Sequence, residues 1–303
     1  MIYTLTFSPS LDYYIDCDSI DSVTRATSAR YELGGKGLNV SRVLKTFGMK
    51  SKAIILTGGF VGAEILRLCE ELEINTINIP TQANSRINVK LPGVEINAPV
   101  PLLAEDEIAA LTAVIDSIED GALLVVSGRV PENIDIKAMF GGRNFQLICD
   151  VSGQALHDFM EINPAIIKPN TDELAEYFGL ESLTTNEIIA CAKELTRDDD
   201  TGKDGPMFTV VSMGENGVLV CVGQNIYAIY PHKGEVLNTV AAGDACLAGF
   251  IAGMMGNVGL EGAIRYANAA GAATAFSVGL PTADLIQELF LNEDIMPFGV
   301  KDK

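Results

Sequence analysis

The sequence predicts one α/β domain with an open, largely parallel sheet. Three observations carry that expectation. From residue 104 onward, short apolar runs alternate with helix-patterned segments. The run 122–126 is apolar throughout, as a strand covered on both faces must be. Each such run ends in glycines and polar residues, and the ligand crevice of an open α/β sheet lies at those ends.

The chain has 303 residues, 48% of them hydrophobic, so it can bury a core without disulfide or metal staples. A formal net charge of -19 argues against a nucleic-acid or anionic-membrane surface. An anionic small molecule held in a locally basic pocket remains open. Six scattered cysteines without a CxxC pair indicate reduced thiols. Neither a leader pattern nor an apolar run of about 20 residues is present, so a cytoplasmic protein with no membrane partner is expected.

In chain order, 2–7 is a β-rich run ending at a Ser8-Pro9-Ser10 turn. Asp12 follows, read either as a solvated turn residue or as an acceptor for hydroxyls. Gly34-Gly35-Lys36-Gly37-Leu38-Asn39-Val40 is a Gly-rich loop entering an amphipathic helix that stops near Gly48. It lacks Walker A spacing, and the cluster favours ligand contact over a flexible turn. The run 52–56 is a strand, followed by a glycine turn and a helix to about Leu72; those glycines do not fit GxGxxG. Residues 85–91 alternate as a half-buried strand, placing Arg86, Asn88 and Lys90 on one face. Two cations there could hold a phosphate, or simply guard an edge strand. A turn at Pro92-Gly93 leads to a partner strand at 94–97.

A helix over 105–118 precedes the strand 122–126, which ends in Ser127-Gly128-Arg129-Val130-Pro131. Strands at 145–149, 165–168 and 207–211 follow, ending in Asp150-Val151-Ser152-Gly153, in Pro169-Asn170-Thr171-Asp172-Glu173 and in Ser212-Met213-Gly214-Glu215-Asn216-Gly217. Residues 218–222 and 225–230 read as a hairpin, 197–205 as a polar loop, and 261–276 as a small-residue helix. The segments near 11–33 and 84–100 form a small β appendage on the single domain spanning 1–303.

The organising stretch is 238–256. Small residues at Ala241, Ala242 and Gly243 open into an apolar helix, with Asp244 in its first turn. Unpaired N–H groups there attract anions, and a carboxylate beside them could take a proton from a hydroxyl. Asp244 could equally be a helix cap.

Together these residues resemble the ribokinase-like (PfkB) carbohydrate kinases, above all the 1-phosphofructokinase and tagatose-6-phosphate kinase subgroup. Five motifs in family order carry the resemblance: 34–44, 86–90, 150–153, 168–174 and 238–244. It implies a three-layer α/β/α core with a β-sheet lid. It also implies an ATP-dependent kinase of a phosphorylated ketohexose, with Asp244 as base. The amides of Ala241, Ala242 and Gly243 would form an anion hole. Asp12, Gly35, Lys36 and Asn39 would hold the sugar, and Arg86, Lys90 and Arg129 its phosphate. Lys168, Asn170, Ser212, Gly214, Gly217, Asn268 and Gly271 would lie along the nucleotide. Asn170 and Glu173 would place Mg2+, largely through water. An exposed apolar lid face would favour a homodimer.

The chain departs from the family pattern at four places. Ala241 replaces a glycine, Arg129-Val130 replaces Ser-Leu, Ser8 replaces an asparagine, and the hairpin after Lys90 is short. An impaired sugar-phosphate sensor, or a kinase of another sugar or nucleoside, is the alternative. A nicotinamide dehydrogenase is excluded by the missing GxGxxG after the first strand.

Overall fold

Seven parallel strands fix where everything else can go. The structure, a computed structural model, describes residues 1–20 and 23–291. Residues 21–22 of the expected appendage and 292–303 of the tail lie outside the described residues.

The first half contains β1 (Ile2–Thr6), β2 (Ser10–Asp16), β3 (Ser28–Gly34), α1 (Lys36–Thr46), β4 (Ser51–Thr57) and α2 (Gly59–Glu71). It continues with β5 (Thr76–Pro80), β6 (Arg86–Leu91), β7 (Val94–Ile96), α3 (Glu105–Asp116) and β8 (Leu123–Ser127). The second half contains α4 (Ile136–Phe140), β9 (Gln146–Asp150), α5 (Gln154–Met160), β10 (Ile166–Ile167), α6 (Thr171–Tyr177) and α7 (Thr185–Leu195). It ends with β11 (Phe208–Ser212), β12 (Val218–Val222), β13 (Asn225–Ile229), α8 (Ala242–Met255), α9 (Gly259–Ala275) and α10 (Ala283–Leu291).

The main sheet has nine strands in the order β13-β12-β11-β10-β9-β8-β1-β4-β5. The pairs from β11 to β5 are parallel, and β12 and β13 add an antiparallel edge. Alternation along each strand splits the core. On β8, Leu124 and Val126 pack with α3 to α7, whereas Val125 packs with α1, α8 and α9. On β4, Ile54 and Leu56 take one side, Ala53 and Ile55 the side of α2. Three layers result.

Helix α8 is apolar all round, so it must be enclosed. It is: Gly249 and Gly253 let α9 approach so closely that a Cβ at Gly253 would lie 2.3 Å from the Cα of Ala263.

The small sheet is ordered β3-β2-β6-β7. Its registers put Ser10 opposite Arg86, Asp12 opposite Asn88, and Tyr14 opposite Lys90. One face therefore carries the polar side chains. The other carries Tyr31, Tyr13, Val89 and Ile96 in one row.

Several local expectations are corrected. Ser10 starts a strand rather than ending a turn, because β2 pairs with both β3 and β6. Lys36 is the first residue of α1, not part of a loop, because β3 runs through Gly34 and leaves only Gly35 as a connection. β5, α4, α5, α7 and α10 were not expected from the sequence. β5 carries polar Asn78 and ends at Pro80, which masks its strand pattern, and α4 and α5 have 5 and 7 residues, too few for a periodicity. No helix among the described residues is long and apolar enough to cross a membrane.

Candidate functional site

A cavity of roughly 1300 Å³ opens at the carboxyl ends of β1, β8, β10 and β11, between the start of α8 and the polar face of the small sheet. Every site residue singled out from the sequence lines it, from Asp12 and Gly35 through Arg129 to Asn268 and Gly271.

The wall at α8 begins with Ala241, the N-cap, at φ 65° and ψ 4°. This is the left-handed region, which costs a residue with a Cβ roughly 1 kcal/mol. Ala241 thus holds a conformation that glycine adopts without strain. The Ala242 N–H is partly spent on the Thr239 carbonyl at 3.3 Å. Among the described residues the N–H groups of Ala241, Gly243 and Asp244 have no acceptor, so the turn offers several open donors. A Cβ on Gly243 would lie 3.4 Å from the Lys168 ammonium, which shows how close that cation stands.

Behind the turn, buried charges meet. Asp150, at the end of β9, is fully buried; its Oδ1 lies 3.1 Å from Lys168 Nζ and 3.3 Å from Lys36 Nζ. Lys36 Nζ also lies 3.6 Å from Glu173 Oε1. Burial opposes ionisation of Asp150, but Lys168 and Lys36 outweigh it and hold the carboxyl low. Asp150 in turn is the main reason Lys36 holds its proton more tightly than usual. Asp244 accepts a 2.9 Å bond from Asn39 Nδ2. Burial first, then the Asp150 charge, pushes the Asp244 carboxyl up to about 7. A carboxyl poised there can accept a proton near neutral pH.

At the small sheet, Asp12 Oδ1 accepts from Ser10 Oγ at 2.8 Å and from Asn88 Nδ2 at 2.9 Å. The three expected phosphate cations differ sharply. Arg86 donates to the Ser8 carbonyl at 2.8 Å and the Ala98 carbonyl at 3.1 Å, leaving its buried Nε without a partner. Lys90 pairs with Glu95. Arg129 has no hydrogen bond or ion pair among the described residues, and it stands near enough to Arg86 to help lower that residue's pKa after burial has done so. The cation most available to an added anion is therefore Arg129, because backbone carbonyls and a glutamate already claim the other two.

At the opposite end, Asn170 bridges to Ser212, and Asn268 Nδ2 donates to the Tyr230 carbonyl at 2.8 Å. Gly217 has φ 87°, and a Cβ there would strike the Ile229 carbonyl at 2.1 Å. Asn170 and Glu173 cap α6 reciprocally, Glu173 N–H to Asn170 Oδ1 at 2.7 Å and Asn170 N–H to Glu173 Oε2 at 2.9 Å. Among the described residues no three His, Cys, Asp or Glu side chains gather as a metal cage. The oxygen donors of Asn170 and Glu173 would suit the water shell of a hard cation such as magnesium.

Asp150 was not singled out as a site residue from the sequence. The signal was present, a carboxylate ending an apolar strand. Its two lysine partners lie 114 and 18 positions away, so the pairing appears only in the fold.

The raised Asp244 carboxyl has a consequence for stability. Its proton is bound more tightly in the folded chain (about 7) than at the ordinary 3.8. That contribution is complete below the ordinary value and is lost as pH rises through about 7. Asp244→Asn cannot ionise, so its unfolding midpoint should exceed that of the wild type at pH 8 by more than at pH 5.5. Thermal unfolding at both pH values checks this, and an equal offset at both would contradict it.

Relatives agree with this geometry. A model described as pfkB family carbohydrate kinase matches residues 6–285. The 1-phosphofructokinase of Bacillus subtilis is 33% identical over 300 residues, covering 95% of this chain and 97% of that protein. The D-tagatose-1-phosphate kinase of Bacillus licheniformis is 34% identical over 292 residues, covering 92% and 94%. The crystal structure of phosphofructokinase-2 from Escherichia coli in complex with fructose-6-phosphate matches with a TM-score of 0.85 at 28% identity, over 96% of this chain and 98% of that one. A buried carboxylate at a helix start, a buried lysine and a part-exposed one beside it, and a polar sheet over the crevice thus accompany a match over most of the chain: it belongs to the pfkB family of carbohydrate kinases.

Proposed function

We propose that this chain transfers the γ-phosphoryl group of ATP to a hydroxyl of a phosphorylated ketohexose. Fructose 1-phosphate giving fructose 1,6-bisphosphate, and tagatose 6-phosphate giving tagatose 1,6-bisphosphate, are the candidate reactions. The carrying observation is Asp244, a carboxyl poised near neutral beside the open Gly243 amide and in the field of Lys36 and Lys168.

Asp244 takes the proton of the attacking hydroxyl, and Asn39 holds the carboxylate in place. The hydroxyl oxygen bonds to the γ-phosphorus as the bond to the leaving oxygen breaks, releasing ADP. The turn from Ala241 to Gly243 receives the transferred phosphoryl oxygens on its open backbone amides. Lys36 and Lys168 set positive charge beside that group. Asp12, Gly35 and Asn39 orient the sugar. Arg129, backed by Arg86 and Lys90, meets the phosphate the substrate already carries. The nucleotide runs past Ser212, Gly214, Gly217 and Gly271, near Asn268. Magnesium, when bound, neutralises charge on the nucleotide phosphates; Asn170 and Glu173 would hold its water. The left-handed φ of Ala241 keeps the turn in form, which favours turnover over a sensor.

The outward face of the small sheet supports pairing with a second copy. Tyr13, Tyr31, Ile87, Val94 and Ile96 are all exposed there. Six free thiols support a reducing compartment such as the cytoplasm.

With Mg-ATP, ADP release across fructose 1-phosphate, fructose 6-phosphate, tagatose 6-phosphate, fructose, ribose and adenosine should appear on a phosphorylated ketose alone. Asp244→Asn should lose about a thousandfold in rate with folding intact. Turnover preserved in that variant would remove Asp244 from the chemistry, and turnover on adenosine or a free sugar alone would overturn the substrate class. Sedimentation should show a dimer that Ile96→Lys dissociates; a wild-type monomer at micromolar concentration would end the pairing idea.

A further inference from the structure

We infer that Asn88 is a positioning residue that fixes the Asp12 carboxylate for the sugar, and that Gly34 is left without a side chain to make room for that same carboxylate. The inference rests on the reading of Asp12 as a sugar contact.

Asn88 lies on β6 directly opposite Asp12 on β2, and is 6% exposed. Its Nδ2 donates to Asp12 Oδ1 at 2.9 Å and to Ser10 Oγ at 3.0 Å, which uses both amide hydrogens. Its Oδ1 accepts the Ala98 N–H at 3.1 Å. Ser10 Oγ donates to the same Asp12 oxygen at 2.8 Å. Two donors thus converge on Asp12 Oδ1. Asp12 Oδ2 receives no donor among the described residues, and Asp12 lines the cavity. One oxygen is anchored and the other is left to accept from a ligand hydroxyl.

The residue type follows. A carboxamide donates to Asp12 and Ser10 from one nitrogen while its oxygen accepts the Ala98 N–H, which matches the three contacts made here. Aspartate would set a second negative charge against Asp12, and leucine would satisfy neither partner. From the other flank, β3 holds Gly34 opposite Ser10. A Cβ there would lie 2.5 Å from both Asp12 Oδ1 and Ser10 Oγ. The backbone of Gly34 is not in the left-handed region, so the glycine answers to space and not to φ. Two strands on either side of β2 therefore constrain one side chain.

The test is a binding cycle, measured by calorimetry with each ketohexose phosphate of the panel and no nucleotide. Asn88→Leu should weaken sugar-phosphate binding about tenfold, as loss of a bond to a charged group does, and leave KM for ATP within about twofold. Gly34→Ala, which keeps every Asn88 bond to Ala98, should show the same pattern; it carries the test if Asn88→Leu does not fold. In an Asp12→Ala background neither change should weaken binding further. A purely structural role predicts the opposite, equal losses with and without Asp12, and that result would overturn the inference. So would unchanged binding in both single variants while the wild type binds. A wild type that binds no ketohexose phosphate overturns both this inference and the proposed function, whereas the variant results bear on the inference alone.

Discussion

Asp150 and Asp244 are two buried carboxylates in one charge field, and the site depends on their not sharing the same fate. Asp150 is held ionised by Lys36 and Lys168, which reach it from α1 and from the end of β10. Asp244 has a neutral amide from Asn39 as its direct partner and bears the Asp150 charge as a penalty. Environment thus splits two like groups into a fixed anion and a carboxyl that titrates near neutral pH. Removing one member of a buried set of this kind strands the others, so the lysines and the carboxylates must be present together.

The rest of the architecture delivers these groups to one place. Parallel strands end together, so Asp150, Lys168 and Ser212 arrive at one rim of the sheet. Helix α8 points its first turn at that rim because its flanks are buried against α1 and α9. The strain at Ala241 is small beside the burial of the apolar residues behind it, which is why a glycine position can tolerate alanine. The small sheet adds a second wall, and the period of two sorts its side chains into a polar inner face and an apolar outer one.

Much of this was legible in the chain. Uniform apolar runs announced the parallel sheet, and the small residues at 241–243 announced a helix start. Arg86, Asn88 and Lys90 were correctly placed on one face by alternation alone. What the sequence hid was partnership. Nothing in the spacing says that Arg86 spends its guanidinium on the carbonyls of Ser8 and Ala98, or that Glu95 occupies Lys90. Those contacts cross between strands or close a hairpin, and periodicity carries no information about them. Asp150 was hidden for the same reason, since its meaning lies in lysines on two other elements. β5 escaped because its polar Asn78 and terminal Pro80 mask a strand pattern.

The most direct test of this electrostatic account is the pH dependence of kcat/KM for the sugar phosphate at saturating Mg-ATP, in the wild type and in Asp150→Asn. Asp244 must be ionised to accept a proton, so activity should fall as pH drops through about 7 in the wild type. Losing the Asp150 charge should move that limb to lower pH, even as the rate itself declines. The substrate's own phosphate titrates identically in both proteins, so only the base can shift the difference. A limb that stays in place would contradict the claim that Asp150 sets the proton affinity of Asp244.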